Sequence, residues 1–545
     1  MRFASFVGPT YQAWSPKVNI ERSINLYPEV SGSQGAKAPI SYCGRPGLQL
    51  FTTLTLAPIR GLWAGEDRLF AAAGTGFYEV FPDGSFNNRG TIADDGDHTP
   101  VGIYPNGVEL FIVASGHAYI DAGDLPGGGG GVFEPLVANG GGTVNATGTA
   151  VTWVSGDKFD ASMAQSGNII NINGNAYTVA SVTDDTHLVL TGSVTGGPLT
   201  GVAYDAAFTL KARTGTFLDS YFIANPPDSK FFYFSGSYDG QSWDPLDFSA
   251  KEGYPDNISA IYADHEELWL FGTHWSTEVW RNEGDPNAAA GFRRDPGAFL
   301  HVACVAPWSI ASLASGLHFL GGDTRGRTVA YCAQGFQPVR VSTHAIEQVW
   351  NSYTKVSDAY AYAAVINGHQ FWVINFMTAN ATWAYDLTTE MWSEWPYWNG
   401  TSYEKHRGRC HAFVFGKHFV GDHTTGKIYQ MSQDFLTDDG QAIRRQRVAP
   451  YVANEQMGNY HHRLQLDLEV AGTAPSVTLD YSDDDGTTWS AARTRTPSRP
   501  TNKARSRVFW QRLGTSRERA YRITIMDPAK VAITDALLEL TPGFS

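Results

Sequence analysis

The sequence predicts an all-β protein: a β-propeller of about six to seven blades, with an inserted small β-module and a C-terminal β-sandwich or platform domain. Three observations predict it. Aromatic residues make up 13% of the chain (16 Trp, 25 Tyr and 30 Phe), and 57 Gly divide them into short runs. Apolar hairpins recur along the body, separated by tight turns. After Gln433 the texture changes to strict alternation of apolar and polar residues, the pattern of sheets with one buried face.

In chain order, residues 1–55 are expected to supply strands near the C-terminal domain, because closing a propeller brings its two ends together. The propeller then runs through 56–136 and 210–438. Its units are Ile59–Val80, Val101–Ile120, Ser220–Phe234, Ile258–Trp280, Ser309–Val341, Ala359–Tyr385 and Cys410–Met431. Each has an apolar core such as Glu267–Gly272 or His369–Asn375, a turn, and an aromatic return strand such as Thr382–Leu387. Blades packed radially bury both sheet faces and leave only short edges. The gap at 137–209 holds the insertion. Gly127–Gly131 and Gly140–Gly142 read as flexible linker. Ala150–Val154, Asn168–Ile172, Ala176–Val182 and His187–Thr191 read as strands of a four- or five-stranded module. The domain at 439–545 carries strands at Arg463–Val470, Ser476–Tyr481, Ser506–Gln511, Ala520–Ile525 and Val531–Leu540.

At 545 residues the chain can hold two or three domains. Met1–Lys17 lacks a continuous apolar stretch, so no secretory signal is expected, and no apolar run is long enough to suggest a membrane helix. Cys43, Cys304, Cys332 and Cys410 lie far apart without C-x-x-C spacing, which points to reduced, buried thiols rather than a disulfide framework or a zinc site. The formal net charge of −14 is unevenly spread. Residues 440–545 hold 15 Lys and Arg against 11 Asp and Glu, a balance of +4; the rest holds 25 basic and 43 acidic residues, a balance of −18. An acidic body is not a general nucleic-acid binder, since phosphate contacts need clustered Lys and Arg. It suits a surface that DNA passes without sticking.

The sharpest motif is Ser482-Asp-Asp-Asp-Gly-Thr-Thr-Trp489, which fits the Asp-box pattern S-x-D-x-G-x-T-W; a looser copy is Ser237-Tyr-Asp-Gly-Gln-Ser-Trp243. Here Ser482, Asp484, Gly486 and Trp489 are structural: the aspartate accepts backbone N–H groups in a hairpin turn, and the tryptophan plugs the core beside it. Candidates for chemistry have bland readings. Glu266/Glu267 are adjacent, whereas glycosidases need two carboxyls across a sugar. Asp94-Asp-Gly-Asp97 reads as a hairpin tip, because the downstream Glu of a calcium loop is missing. His461, His462 and His301 have no H-E-x-x-H or Cys partner and read as strand-edge or core residues. G-x-S-x-G, P-loop and dinucleotide motifs are absent. No catalytic, cofactor or metal site is expected.

Arg493–Arg522 holds Arg493, Arg495, Arg499, Lys503, Arg505, Arg507, Arg512, Arg517, Arg519 and Arg522. The bland reading is a solvated strand face. The functional one is an interface, with Arg493, Arg495, Arg499, Arg505, Arg507, Arg512, Arg517 and Arg519 as candidates. Arginine tolerates partial burial and binds carboxylates bidentately. Contact with DNA phosphates is a third reading.

Several stretches resemble the packaged-DNA stabilisation, or tail-hub (nozzle), proteins of short-tailed bacteriophages. Ile24-Asn-Leu-Tyr-Pro-Glu29 followed by Gly44-Arg-Pro-Gly-Leu48 is similar to the family's opening. Tyr238–Phe248, Leu268–Gly272, Thr277–Trp280 and Val341–Glu347 are similar to its blade turns, and Arg507–Gly514 with Tyr521–Pro528 to its closing segment. The order of these matches, end to end apart from Asn139–Phe208, carries the resemblance. It implies a structural virion protein: a homo-hexameric tube below the portal and its adaptor ring, in contact with tail fibre, spike or needle proteins. Double-stranded DNA would pass through the lumen without specific binding. It implies no catalysis, cofactor or membrane anchor. Two other functions remain open. One is a sialidase-like glycosidase, needing three convergent arginines and a Tyr–Glu pair. The other is a receptor-binding module built on the insertion, for which exposed aromatics such as Trp153 and Tyr177 would serve, although each also suits the module's core.

Overall fold

A computed structural model describes residues 3, 6–31, 40–122, 132–135, 137–156, 158–159, 169–243, 247–284, 291–322, 326–453, 457–471, 473–497 and 505–543. The protein is all-β, with a single α-helix among the described residues, His344–Asn351. Two compact units divide it: one comprises 1–74, 78–87 and 305–545, the other 75–77 and 88–304.

The first unit holds four blade hairpins, opening with Ile59–Gly65/Arg68–Ala73, Gly316–Gly322/Thr328–Gln334, Ala359–Ile366/His369–Phe376 and Gly408–Val414/Lys417–Asp422. Both faces are covered in Arg68–Ala73 and His369–Phe376, which is why these runs are almost continuously buried and mostly apolar rather than alternating. Trp350, Trp372, Trp392 and Trp395 are fully buried here. The helix begins at Thr343, whose hydroxyl caps the Ile346 N–H, and it sends Ile346 and Trp350 into the same core.

The last blade is completed from far away in sequence. Gly47–Thr53 pairs antiparallel with Lys427–Ser432 and parallel with Asp438. Residues 1–55 were expected beside the C-terminal domain. Leu26–Val30 and Ile40–Gly44 lie there, in one sheet with Lys530–Pro542, Asn459–Ala471 and Arg505–Ser516. Gly47–Thr53 instead closes the blade. The facing sheet contains Ile20–Ile24, Arg445–Val448, Glu518–Ile525, Val477–Ser482 and Arg493–Arg495. The alternation read from the sequence places Leu464, Leu466, Leu468 and Val470 inward against Val477, Leu479, Ile523 and Ile525. Each such side chain contributes about 1.5–3 kcal/mol by leaving water.

The second unit holds three blade sheets, opening with Val101–Pro105/Glu109–Ala114, Thr214–Leu218/Tyr221–Asn225 and Ile258–Asp264/Glu267–Gly272. The two units thus carry seven blade sheets. Asp94–Asp97 is not a hairpin tip: it lies between Phe86–Thr91 and Val101–Pro105, strands of different sheets. Its carboxylates accept the N–H groups of Gly96 and Thr99, which satisfies an otherwise bare connection.

Six strands between residues 137 and 209 form a closed antiparallel barrel, where four or five strands were expected. The additional strands are Val137–Thr147 and Leu199–Thr209, which pair with each other over most of their length. Gly140–Gly142 is therefore strand, not linker. A Cβ on Gly142 would lie 2.1 Å from the Ser155 carbonyl oxygen, and one on Gly156 would lie 2.3 Å from that of Gly141. Glycine permits this close crossing beside a β-bulge. Gly127–Gly131 lies outside the described residues.

Candidate interface and motif sites

The Asp-box side chains are consumed by their own turn. Ser482 Oγ accepts the Gly486 N–H at 2.9 Å and donates to Asp484 Oδ1 at 2.8 Å. Asp484 accepts the Thr488 N–H at 2.9 Å and its hydroxyl at 2.6 Å, and these bonds hold the carboxyl below the usual carboxylate range. Asp485 (φ 59°) and Gly486 (φ 81°) supply the left-handed residues that the turn requires. Trp489 was expected to plug the core. Instead it is half-buried beneath Arg522, whose guanidinium carbon is 3.8 Å from the ring centroid. Arg522 is held there by Asp480. The looser copy does plug: Trp243 is 4% exposed, donates from Nε1 to the Gly240 carbonyl at 2.8 Å, and stacks near Phe111.

The arginine stretch separates into two populations. Arg519 is 2% exposed. It forks onto both Asp483 oxygens at 2.6 Å, donates to the Leu513 carbonyl at 2.5 Å, and lies 3.9 Å over the Tyr481 ring. A further donor reaches the Thr515 carbonyl at 3.3 Å, so four of the five donors of such a group are engaged within the domain; Arg519 stabilises the sandwich and is withdrawn from any docking surface. Arg493 is half-buried and donates to the Arg512 carbonyl at 3.2 Å. Arg507 is exposed and lies 3.4 Å from Asp467. Arg495, Arg512 and Arg517 are exposed and pair with no carboxylate among the described residues. Arg499 lies outside the described residues, and only the backbone of Arg505 is described.

The remaining candidates are structural in their surroundings. His461 is buried between Tyr521 Oη (2.6 Å) and Ser516 Oγ (2.8 Å), and burial pulls its pKa down to about 4. His462 contacts the Thr541 hydroxyl, and His301 stacks edge-on to Phe299. Glu267 pairs with Arg281. Tyr177 is buried in the barrel and bonds Thr195, while Trp153 is half-buried beside Lys158. Cys304 and Cys332 are buried; Cys43 and Cys410 are half-buried; all four are free thiols.

Buried charge is what sequence reasoning missed. Arg45 and Asp438 form an ion pair with side chains 0% and 1% exposed. Arg45 also donates to Asn25 Oδ1 at 2.6 Å and to the Pro46 and Pro396 carbonyls. In the second unit Lys251 is buried against Asp256 and Ser276, with Glu278 3.9 Å away. The G-R-P-G signature around Arg45 was the available signal.

Two family models match the chain. That of bacteriophage P22 Gp10, β-propeller, covers residues 135–436, and that of bacteriophage P22 Gp10, β-sandwich, covers residues 444–541. No curated protein matches the chain. Solved structures with likeness include the computationally designed Ika8 protein (12% identity, 70% of this chain and 99% of that one, TM-score 0.34). The N-terminal domain of Nup159 (8%, 75% and 98%, 0.35) and Saccharomyces cerevisiae Sqt1 (10%, 71% and 99%, 0.33) are similar at the same level; scores this low carry no argument. The two Gp10 matches, on a chain with seven blade sheets and a following sandwich, show that this protein belongs to the bacteriophage P22 Gp10 family of structural tail proteins that stabilise packaged DNA.

Proposed function

We propose that six copies of the chain close into a tube below the portal and its adaptor ring, retaining packaged DNA and conducting it outward at infection. The observation that carries this reading is the charge segregation: a balance of +4 in residues 440–545 against −18 in the rest, with Arg495, Arg507, Arg512 and Arg517 exposed on the basic part. Cyclic symmetry sets a basic patch of one subunit against a different, acidic patch of the next, which closes a ring without self-repulsion. Arginine suits the contact because its planar fork grips carboxylates. The same acidic body repels DNA over roughly one Debye length, about 8 Å at physiological salt, so the genome slides past without adhering. Tail fibre, spike or needle proteins attach to the finished tube.

The protein acts without catalysis in this reading. Support comes from its family, and from an Asp-box whose serine and aspartate are committed to the turn. Reversing Arg495, Arg512 and Arg517 together to glutamate is expected to leave the melting temperature within a few degrees of wild type, since exposed charges contribute little to stability; Arg507 is left in place because it pairs with the buried Asp467. Self-association should be abolished, as read by mass photometry at low salt. Assembly of the triple variant as readily as wild type would sink the arginine interface.

A further inference from the structure

A cavity of about 430 Å³ lies entirely within the first unit, among Leu26–Val30, Ile40–Gly44, the Gln433–Leu436 segment and residues 529–532 of the sandwich. Its charged lining is uneven. Arg45 is neutralised by Asp438, His369 is bonded to Asp386 at 2.7 Å, and Lys530 pairs loosely with Asp434 at 3.9 Å. Glu29 and Glu469 are exposed and screened by solvent. Arg445 is different. It is 3% exposed, it has no ion pair among the described residues, and its one hydrogen bond from the guanidinium runs to the Asp527 carbonyl at 3.4 Å. Its buried Nε has no hydrogen-bond partner among the described residues. Gly44 lets the guanidinium lie against the chain, because a Cβ there would sit 2.7 Å from Nε. Burial, with the Arg45 charge beside it, pulls the group down to about 10, against an opposing pull from Asp438. Two buried cations, Arg45 and Arg445, thus share the single carboxylate of Asp438; a buried cation without a counter-charge of its own is costly to keep, and its fork of parallel N–H groups fits two oxygens of one anion.

We propose that this cavity binds a small oxyanion, a phosphate or a carboxylate, on Arg445. The site is independent of the ring and of the exposed arginines. Bound anion supplies a second counter-charge where the N-terminal strands, the last blade and the sandwich meet, so occupancy stiffens that junction.

Thermal unfolding of the full chain in chloride buffer, titrated with inorganic phosphate or with acetate at constant ionic strength, tests the proposal. Wild type is expected to gain several degrees with saturation. Arg445→Gln should match or exceed wild type without anion, having lost an unpaired charge, and should gain nothing from it. Gly44→Ala, which crowds Nε, should weaken the apparent affinity about tenfold or more, and it stands in should Arg445→Gln fail to fold. Arg495→Gln should respond as wild type does. An equal gain in wild type and Arg445→Gln would overturn the assignment. So would the absence of a saturable gain with both anions, or an Arg445→Gln protein that folds yet is equally destabilised with and without them.

Discussion

Replacing Asp438 by alanine is expected to cost about 3–5 kcal/mol of stability. The carboxylate accepts from Arg45 in a site with side chains 0% and 1% exposed, and without it the guanidinium keeps only Asn25 and two carbonyls for company. The buried charge is then uncompensated, which costs far more than the pair itself contributes. The consequence is not local. Asp438 pairs in parallel with Leu48, in the strand that completes the last blade, and Arg45 sits just before that strand. The pair therefore pins the N-terminal strand where the last blade is completed. Urea denaturation should show the loss, and Asp438→Leu combined with Arg45→Met should recover much of it. A single alanine variant within about 1 kcal/mol of wild type would contradict this account of the closure.

Acid is expected to destabilise the protein well before its carboxylates titrate. Burial holds His318 and His461 at about 4, His423 at about 4 and His411 at about 3, and it also pulls His406 well below the ordinary value. Unfolded, each titrates near 6.5. Between these values the unfolded chain binds more protons than the folded one, so stability is present above about pH 6.5 and is lost as the pH falls towards 4. At about 1.4 kcal/mol per pH unit, His318 and His461, which are almost fully buried, each account for on the order of 3 kcal/mol. His369 acts in the opposite sense, because its bond to Asp386 raises its pKa, but it is one group against seven, since burial also lowers His117 and His418. Thermal melts should lose more than ~10 °C between pH 7.5 and 4.5. The loss should be smaller in His461→Gln, which keeps partners for Tyr521 and Ser516. A flat profile across that range would show that these histidines protonate freely in the folded chain.

The parts of the fold that depend on local pattern were legible. All seven apolar hairpins occupy the expected segments, because a strand's character is written in a run of six to eight residues such as Glu267–Gly272. Alternation in Arg463–Val470 likewise marked the sandwich face. What escaped depended on distant partners. Gly47–Thr53 has an ordinary strand sequence, and nothing in it names Lys427–Ser432 as its neighbour. Gly140–Gly142 resembles a linker because the reason for glycine, the Ser155 carbonyl crossing at close range, is visible only in three dimensions. Arg45, Arg519 and Lys251 were hardest, since a charged side chain in sequence reads as solvated until its buried carboxylate is found. The Asp-box turn was readable from its pattern, whereas Trp489 followed Arg522 rather than the core.

The central claim, that identical subunits close into a ring on the DNA path, is tested most directly by mass photometry with negative-stain microscopy of the purified protein, alone and with its adaptor–portal complex. The account predicts a ring or tube of about six copies, formed on the adaptor if not before it. A monomer that persists at every concentration and ignores the adaptor would contradict it.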